Sequence, residues 1–347
     1  MDSITQAALG GVMGELVLGR KLGWRGMAWG LLFGTLPDLD ILAYPWLNEV
    51  EKLSWHRGIS HSILVMFLAS FLFAKPLAWL HRERGLTAKR AGWFVFLAWS
   101  THVLIDVFTS YGTQVFEPFS DQRVAFSNLF IVDLFFTLPL VLGLVWVLFY
   151  DPVSDERRKL MSRAFSVSCL YVMFSFVMKL WAMDRIKANV TAEIPGGKVV
   201  AVAPTPFNTL LWRGLVETED AYWVTYWSAF DDGPSGFDYV PKHHELAKRF
   251  EGQELFEALK WFARGHWVAR PGPDGKVVFV DVRFGELRDV GNQQLHPMFQ
   301  WHLYFDEAGE MKAPSYRPRS YEMKAAMGLI LERIVGKTDR WESMKGF

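Results

Sequence analysis

Four stretches of the chain, 59–80, 91–108, 129–150 and 164–183, are almost continuously apolar, and each approaches the roughly 20 helical residues that cross about 30 Å of hydrocarbon. Few folds are open to such a chain. In lipid the backbone must satisfy its own polar groups, so stretches of this kind become helices. Two earlier stretches, 4–18 and 24–36, are shorter and rich in glycine, which permits close helix approach. They read as short tilted spans or a re-entrant pair, with a buried helical hairpin as the soluble alternative.

Beyond residue 183 the character changes. Segments 188–203, 209–216, 221–229, 276–283 and 299–305 show alternation or β-branched and aromatic enrichment, broken by DDGPSG and PGPDGK turns. Stretches 241–264 and 320–335 carry the spacing of amphipathic helices. The fold class expected is therefore a multi-pass α-helical membrane domain over 1–186, with about six membrane helices, followed by an extramembrane α+β domain with an antiparallel sheet over 187–347.

Composition narrows the partners. Lys plus Arg (37) balances Asp plus Glu (37), which gives no case for nucleic acid. The single cysteine, Cys169, excludes an intrachain disulfide and a thiolate zinc cluster. The start, MDSITQAALGG, has no basic segment ahead of its apolar region, so no cleavable signal peptide is expected.

Basic residues orient the bundle, because short cytoplasmic loops are enriched in them. Arg20, Lys21 and Arg25 fall in the first connection, Arg82, Arg84, Lys89 and Arg90 in the third, and Arg157, Arg158, Lys159 and Arg163 in the fifth. Loops 37–58 and 109–128 carry only Lys52, Arg57 and Arg123 and should face outward. Six crossings then gather the amino terminus, the PDLD segment, the HRGISHS segment and the far end of the 91–108 helix on the outer side, with the carboxy-terminal domain.

Those gathered segments hold the chemistry. Asp38 and Asp40 alternate after Pro37, and His56 and His61 flank the start of an apolar helix. Taken singly, PDLD reads as a turn and each histidine as a hydrogen-bonded boundary residue. His102 and Asp106 are harder to dismiss, since they lie four apart on one face of an apolar helix, where ionisable groups are costly unless paired or coordinating. Together three histidines and three aspartates point to a divalent metal site of one or two ions. Imidazole and carboxylate without thiolate suit zinc first, then manganese or iron. Asp2 is either a further ligand or a helix-capping acid. Arg123, the lone basic residue of 109–128, can bind phosphate in a bidentate manner, sit as a solvated loop arginine or pair with Asp121. Asp133 is either a hydrogen-bond partner for a ligating histidine or faces the interface.

The segments MDSITQAALGG, GTLPDLD, HRGISHS, HVLIDVFTSYGT and EPFSDQR, in that order, resemble the successive motifs of the YdjM-like family of membrane-bound metal-dependent hydrolases. The resemblance runs through Arg123. It implies a multi-pass inner-membrane protein that binds metal through Asp38, Asp40, His56, His61, His102 and Asp106. The family is in turn distantly similar to zinc-dependent phospholipase C, whose HxxxD pattern is matched here by His102 and Asp106.

The function expected is a hydrolase that cleaves an ester, with a phosphoester favoured, of a lipid or lipid-linked substrate at the outer membrane edge. Asp38 and Asp40 are the candidate catalytic carboxylates, and Arg123 the group that stabilises negative charge. A membrane peptidase is disfavoured by the absence of an HExxH helix. A metal transporter or sensor, or a non-catalytic scaffold, remains the alternative. In the second half, His243 and His244 read as surface residues near a helix start, and the numerous tryptophans as core and interface residues.

Overall fold

The computed structural model describes residues 1–289, 294–316, 323–338 and 341. The chain forms two compact units. The first comprises Met1–Asn48, Ser54–Phe176 and Pro206–Asn208, and the second comprises Glu49–Leu53, Val177–Thr205 and the described residues from Thr209 onward.

The first unit is helical. Helix α1 (Ser3–Leu22) begins at Asp2, whose carboxylate accepts from the Ile4 and Thr5 amides. Asp2 is thus the capping acid rather than a ligand. A left-handed Gly23 (φ 60°) turns the chain into α2 (Trp24–Thr35). These helices pack antiparallel through glycine. A Cβ placed on Gly14 would lie 2.1 Å from the Gly26 carbonyl oxygen, and one on Gly10 2.3 Å from that of Gly30. No residue with a side chain permits that approach. The short early stretches are therefore a close-packed hairpin, with α1 largely buried.

Residues Leu36–Trp46 form a 3₁₀ helix that carries Asp38 and Asp40, and a short α3 (Glu49–Trp55) follows. Helix α4 (Ile63–Leu80) is capped by Ser62, and α5 (Ala88–Val107) by Thr87. Helix α6 (Leu134–Trp146) starts later than the apolar run suggested. Asp133 accepts from the Phe135 and Phe136 amides and fixes the start there, while the Tyr171 hydroxyl donates to its other oxygen at 3.0 Å. Asp133 is thus a cap, not a partner of a ligating histidine.

Only α4 and α7 (Asp155–Glu193) are long and apolar enough to cross a membrane among the described residues, and α6 with its 3₁₀ extension to Phe149 is a shorter apolar helix. This is fewer than the six crossings expected. Helix α5 carries Lys89, Arg90, His102 and Asp106 and turns Phe94, Val95, Ala98 and Val103 inward, so its sequence answers to helix neighbours as well as to surroundings. Phe71 and Leu72 on α4, Phe135 and Leu142 on α6, and Leu170 and Met173 on α7 are exposed. An exposed apolar surface of that extent is what a bilayer covers. Inside the bundle, Glu15 and Arg157 form a buried bidentate pair at 2.6 and 2.7 Å.

Helix α7 continues ten residues beyond the expected apolar segment and consumes the start of the supposed 188–203 strand. The reason is a four-residue ladder. Met178, Ala182, Ile186, Val190 and Ile194 are all buried, in one cluster with Val202, Trp212, Val216 and Trp227. A helix puts residues four apart on one face and leaves Asp184, Ala188 and Ala192 exposed outside it, whereas a strand would turn every second residue, these included, to the same side.

The second unit holds β1 (Lys198–Pro204), β2 (Leu211–Glu217), β3 (Ala221–Ser228) and β4 (Phe237–Pro241) in one antiparallel sheet in that order. The 241–264 stretch divides into a 3₁₀ segment (His244–Phe250) and α8 (Glu254–Phe262). There follow β5 (Trp267–Pro271), β6 (Val277–Asp281), β7 (Glu286–Asp289), β8 (Gln294–Pro297), β9 (Gln300–Phe305) and β10 (Met311–Lys312). The second sheet runs β10-β9-β6-β5, again antiparallel, and β7 pairs with β8. Helix α9 (Met323–Ile334) covers most of the expected 320–335 helix, of which 320–322 lie outside the described residues. His243 is exposed, but His244 is half-buried with its ring stacked 3.8 Å from that of Trp267, a correction to its reading as a surface residue.

Candidate metal centre

The HRGISH segment is built around Asp40. One carboxylate oxygen lies 2.9 Å from His56 Nδ1, and the other accepts from the Ser60 hydroxyl at 2.9 Å and the Arg57 amide at 3.2 Å. The Trp55 indole donates to the Asp40 carbonyl at 2.9 Å. These bonds hold Arg57 in the left-handed region (φ 61°) and swing His61 into the bundle, where it is fully buried. Backbone strain at a buried arginine beside polar groups is the kind that functional sites retain.

His61 and His102 meet with their Nε2 atoms 3.1 Å apart. The other nitrogens set the tautomers. His102 Nδ1 lies 2.6 Å from the Gly34 carbonyl oxygen, which can only accept, so the proton is on Nδ1. His61 Nδ1 lies 2.8 Å from Ser60 Oγ, whose own proton goes to Asp40, so His61 also donates from Nδ1. Both Nε2 atoms of the neutral rings therefore present lone pairs. Orientation of ligating histidines through the far nitrogen is a general feature of metal sites.

Two carboxylate oxygens face the same point. Asp38 Oδ1 is 3.3 Å from His61 Nε2 and 3.5 Å from His102 Nε2, and Asp106 Oδ2 is 3.4 and 3.7 Å from the same atoms. Neither oxygen has a hydrogen-bond partner, and both are buried. Four electron-rich atoms within 4.8 Å of one another repel unless a proton or a cation lies among them. A tetrahedral ion with bonds of about 2.0–2.1 Å has ligand-to-ligand edges of roughly 3.3–3.4 Å. The five edges given above scatter about that value, so the donor set fits a divalent ion.

The surrounding groups support the four. Asp106 Oδ1 accepts from Gln6 Nε2 at 3.0 Å, lies 3.1 Å from Arg57 and is hydrogen-bonded by the Met1 amino group, leaving Oδ2 for the centre. Arg57 also donates to Thr109 Oγ1 at 3.0 Å. Burial alone raises the Asp38 carboxyl and depresses His61. Contacts with His102 and His61 outweigh burial at Asp38, which is held well below the usual carboxylate range, and contacts with Asp106 and Asp38 outweigh it at His61, which is raised. Burial likewise works against ionised Asp40, but the His56 hydrogen bond outweighs it and its pKa is lowered.

Of the residues singled out in the sequence, Asp38, His61, His102 and Asp106 converge on one point. Asp40 and His56 pair with each other one layer away, with His56 still partly exposed and its ring 6.1 Å from that of His61. Arg123 is buried with its guanidinium 5.1 Å from the centre of the Tyr111 ring. Sequence reasoning passed over Arg57, Gln6 and Tyr111. Arg57 carries a signal in the sequence, since it sits between the two histidines of HRGISH.

The family model described as YdjM inner membrane protein matches residues 1–182. The chain belongs to the YdjM family. Its match thus spans the whole helical unit up to α7, including every residue of the candidate centre. The chain is also 26% identical over 204 residues to the Bacillus subtilis (strain 168) protein described as "Uncharacterized protein YfhP". That alignment covers 57% of this chain and 59% of the relative. No solved structure matches.

Proposed function

We propose that the protein is a membrane-embedded, metal-dependent hydrolase acting on a phosphoester of a lipid or lipid-linked substrate. The observation that carries this is the convergence of Asp38, His61, His102 and Asp106 with lone pairs facing one point. Those four residues would hold the ion, with zinc favoured by the ligand types and manganese or iron as competitors. A divalent ion there supplies Lewis acidity toward a phosphoryl oxygen and acidifies water. The protein's part is orientation. Gly34 and Ser60 fix the two imidazoles, while Gln6 and Arg57 hold the far oxygen of Asp106.

A lipid substrate is supported by the segments that border the site. Leu42 and Trp46 on the 3₁₀ helix, and Phe116 and Phe119 on 109–128, are 63%, 82%, 48% and 86% exposed. Apolar and aromatic side chains at the rim of a helix bundle suit the membrane interface. The opposite end is basic, and its connections are tied together: Arg20 pairs with Asp155, and Arg90 Nε donates to the Val17 carbonyl at 2.6 Å. The positive-inside rule then favours a multi-pass arrangement with the basic end in the cytoplasm and the metal centre and carboxy-terminal domain on the periplasmic side.

Metal content of detergent-purified protein tests the centre. Wild type should hold about one equivalent of zinc or manganese, as four ligands imply, and folded His102→Ala and Asp38→Ala variants should lose it. Hydrolysis of lipid phosphoesters, present in wild type and absent in both variants, tests the reaction. No metal after reconstitution overturns both, and metal uptake into proteoliposomes without hydrolysis replaces the hydrolase by a transporter.

A further inference from the structure

Beside the four converging groups lies a second arrangement, which shares Arg57 with them. Arg57 and Arg123 both set their guanidinium carbons against one ring, 5.0 and 5.1 Å from the centre of Tyr111. Both arginines are more than nine-tenths buried, and Arg57 Nε has no hydrogen-bond partner. The backbone fixes the grouping. The Gln114 amide donates to the Arg57 carbonyl at 2.9 Å, and Thr113 bridges to Val124 next to Arg123, so the segment containing Tyr111 bridges the two cations. The His56 ring centre lies 5.9 Å from that of Tyr111.

Two buried like charges on one ring repel, and an aromatic face returns only part of that cost. Arginine binds planar or tetrahedral oxyanions through its fork, most strongly where water is excluded.

We propose that Arg57 and Arg123, braced on Tyr111, form an anion subsite that receives a phosphate group beside the metal centre. This rests on the hydrolase reading for its catalytic meaning, and it names the part of the substrate that the protein grips. His56 lies on the side toward Asp40. The ligand chemistry is a phosphate oxyanion, from a lipid headgroup or from free phosphate.

Isothermal titration of the full-length protein in detergent tests this, using inorganic phosphate, dihexanoylphosphatidic acid and acetate as probes, each with zinc loaded and with zinc chelated. Metal content is measured on the same samples. Phosphate should bind in both states, with acetate weaker. Arg123→Gln should weaken phosphate about tenfold or more without loss of zinc, as expected for removal of a charge-assisted contact, and Arg123→Lys should restore only part because it lacks the fork. Tighter binding of dihexanoylphosphatidic acid assigns the subsite to a lipid phosphate, and equal binding assigns it to free phosphate. Phosphate affinity unchanged in Arg123→Gln, or matched by acetate, overturns the subsite. Zinc bound without any phosphate binding leaves the metal centre standing and removes the subsite; phosphate bound through Arg123 in a protein that takes no zinc does the reverse.

Discussion

His102 Nδ1 lies 2.6 Å from the carbonyl oxygen of Gly34, a residue with no side chain at the end of the glycine-packed α1–α2 hairpin. The contact joins the tightest packing in the helical unit to the tautomer of a candidate ligand. A Cβ on Gly34 would lie 2.5 Å from the Gln6 carbonyl oxygen, and Gln6 itself holds Asp106. Close packing and the metal centre are therefore one construction.

Substitution of Gly14 by valine should separate α1 from α2, because its Cβ would lie 2.1 Å from the Gly26 carbonyl and no flexible side chain can yield there. The cost expected is about 1–3 kcal/mol or more, typical of overpacking. The centre should suffer as well, since the Gly34 carbonyl and Gln6 move with the hairpin. Thermal unfolding in detergent and zinc content measure the two effects. A Gly14→Val protein with wild-type stability and full zinc would contradict the coupling.

Ser60 and Asp40 act on the centre at one remove. Ser60→Ala removes the acceptor for His61 Nδ1, and Asp40→Asn weakens the hub that holds Ser60, His56 and the Arg57 amide. Each should lower zinc affinity by about 10–100-fold without removing any of the four converging groups. Competition with a chromogenic chelator reads this directly. Complete loss of zinc in Asp40→Asn, with His61 variants retaining it, would instead make Asp40 a ligand.

The pH dependence follows from His61, which Asp106 and Asp38 raise above its ordinary 6.5 against the effect of burial. A raised pKa in the folded state means that protonation stabilises the metal-free protein. That stabilisation is complete below 6.5 and is lost as pH rises through the raised value. Metal requires the deprotonated ring, so zinc affinity should climb across the same window. Melting temperatures from pH 6 to 9 should fall for chelated protein and hold or rise for zinc-loaded protein. Parallel curves in the two states would exclude competition between proton and metal at His61.

The centre was legible because its ligands announce themselves chemically. An HxxxD pair in an apolar helix and two short polar motifs at the ends of apolar runs have few structural uses, so Asp38, Asp40, His56, His61, His102 and Asp106 group on sequence alone, and four of the six converge. What could not be read was the division of labour. Asp38 and Asp40 alternate in sequence, yet a 3₁₀ helix turns only Asp38 to the centre and leaves Asp40 to organise the HRGISH segment. Arg57 was hidden by its backbone, since a left-handed φ at a non-glycine residue has no sequence signature. In the second unit β2, β3, β6 and β9 lie within about two residues of their expected bounds, whereas the short β4, β5, β7, β8 and β10 had no expected counterpart. The error at 188–193 came from β-branched residues on a helix whose buried partners repeat every four positions, a period that local alternation obscures.

Sidedness can be read from two surface positions. Lys52 lies in α3 between the candidate ligands, and Glu83 lies in the exposed 3₁₀ turn between α4 and α5, flanked by Arg82 and Arg84. Cys169 on α7 is the one native cysteine, so Cys169→Ser gives a background with a single introduced thiol. Lys52→Cys should then be labelled in intact cells by a membrane-impermeant maleimide, and Glu83→Cys only after the membrane is opened. The charge rule predicts this because Arg82, Arg84, Lys89 and Arg90 resist translocation. Labelling of Glu83→Cys alone from outside would invert the topology and put the centre in the cytoplasm, where its substrate would be a lipid of the inner leaflet. Labelling of both would show that α4 and α5 do not form a transmembrane pair, and the site would then have to meet lipid from one surface.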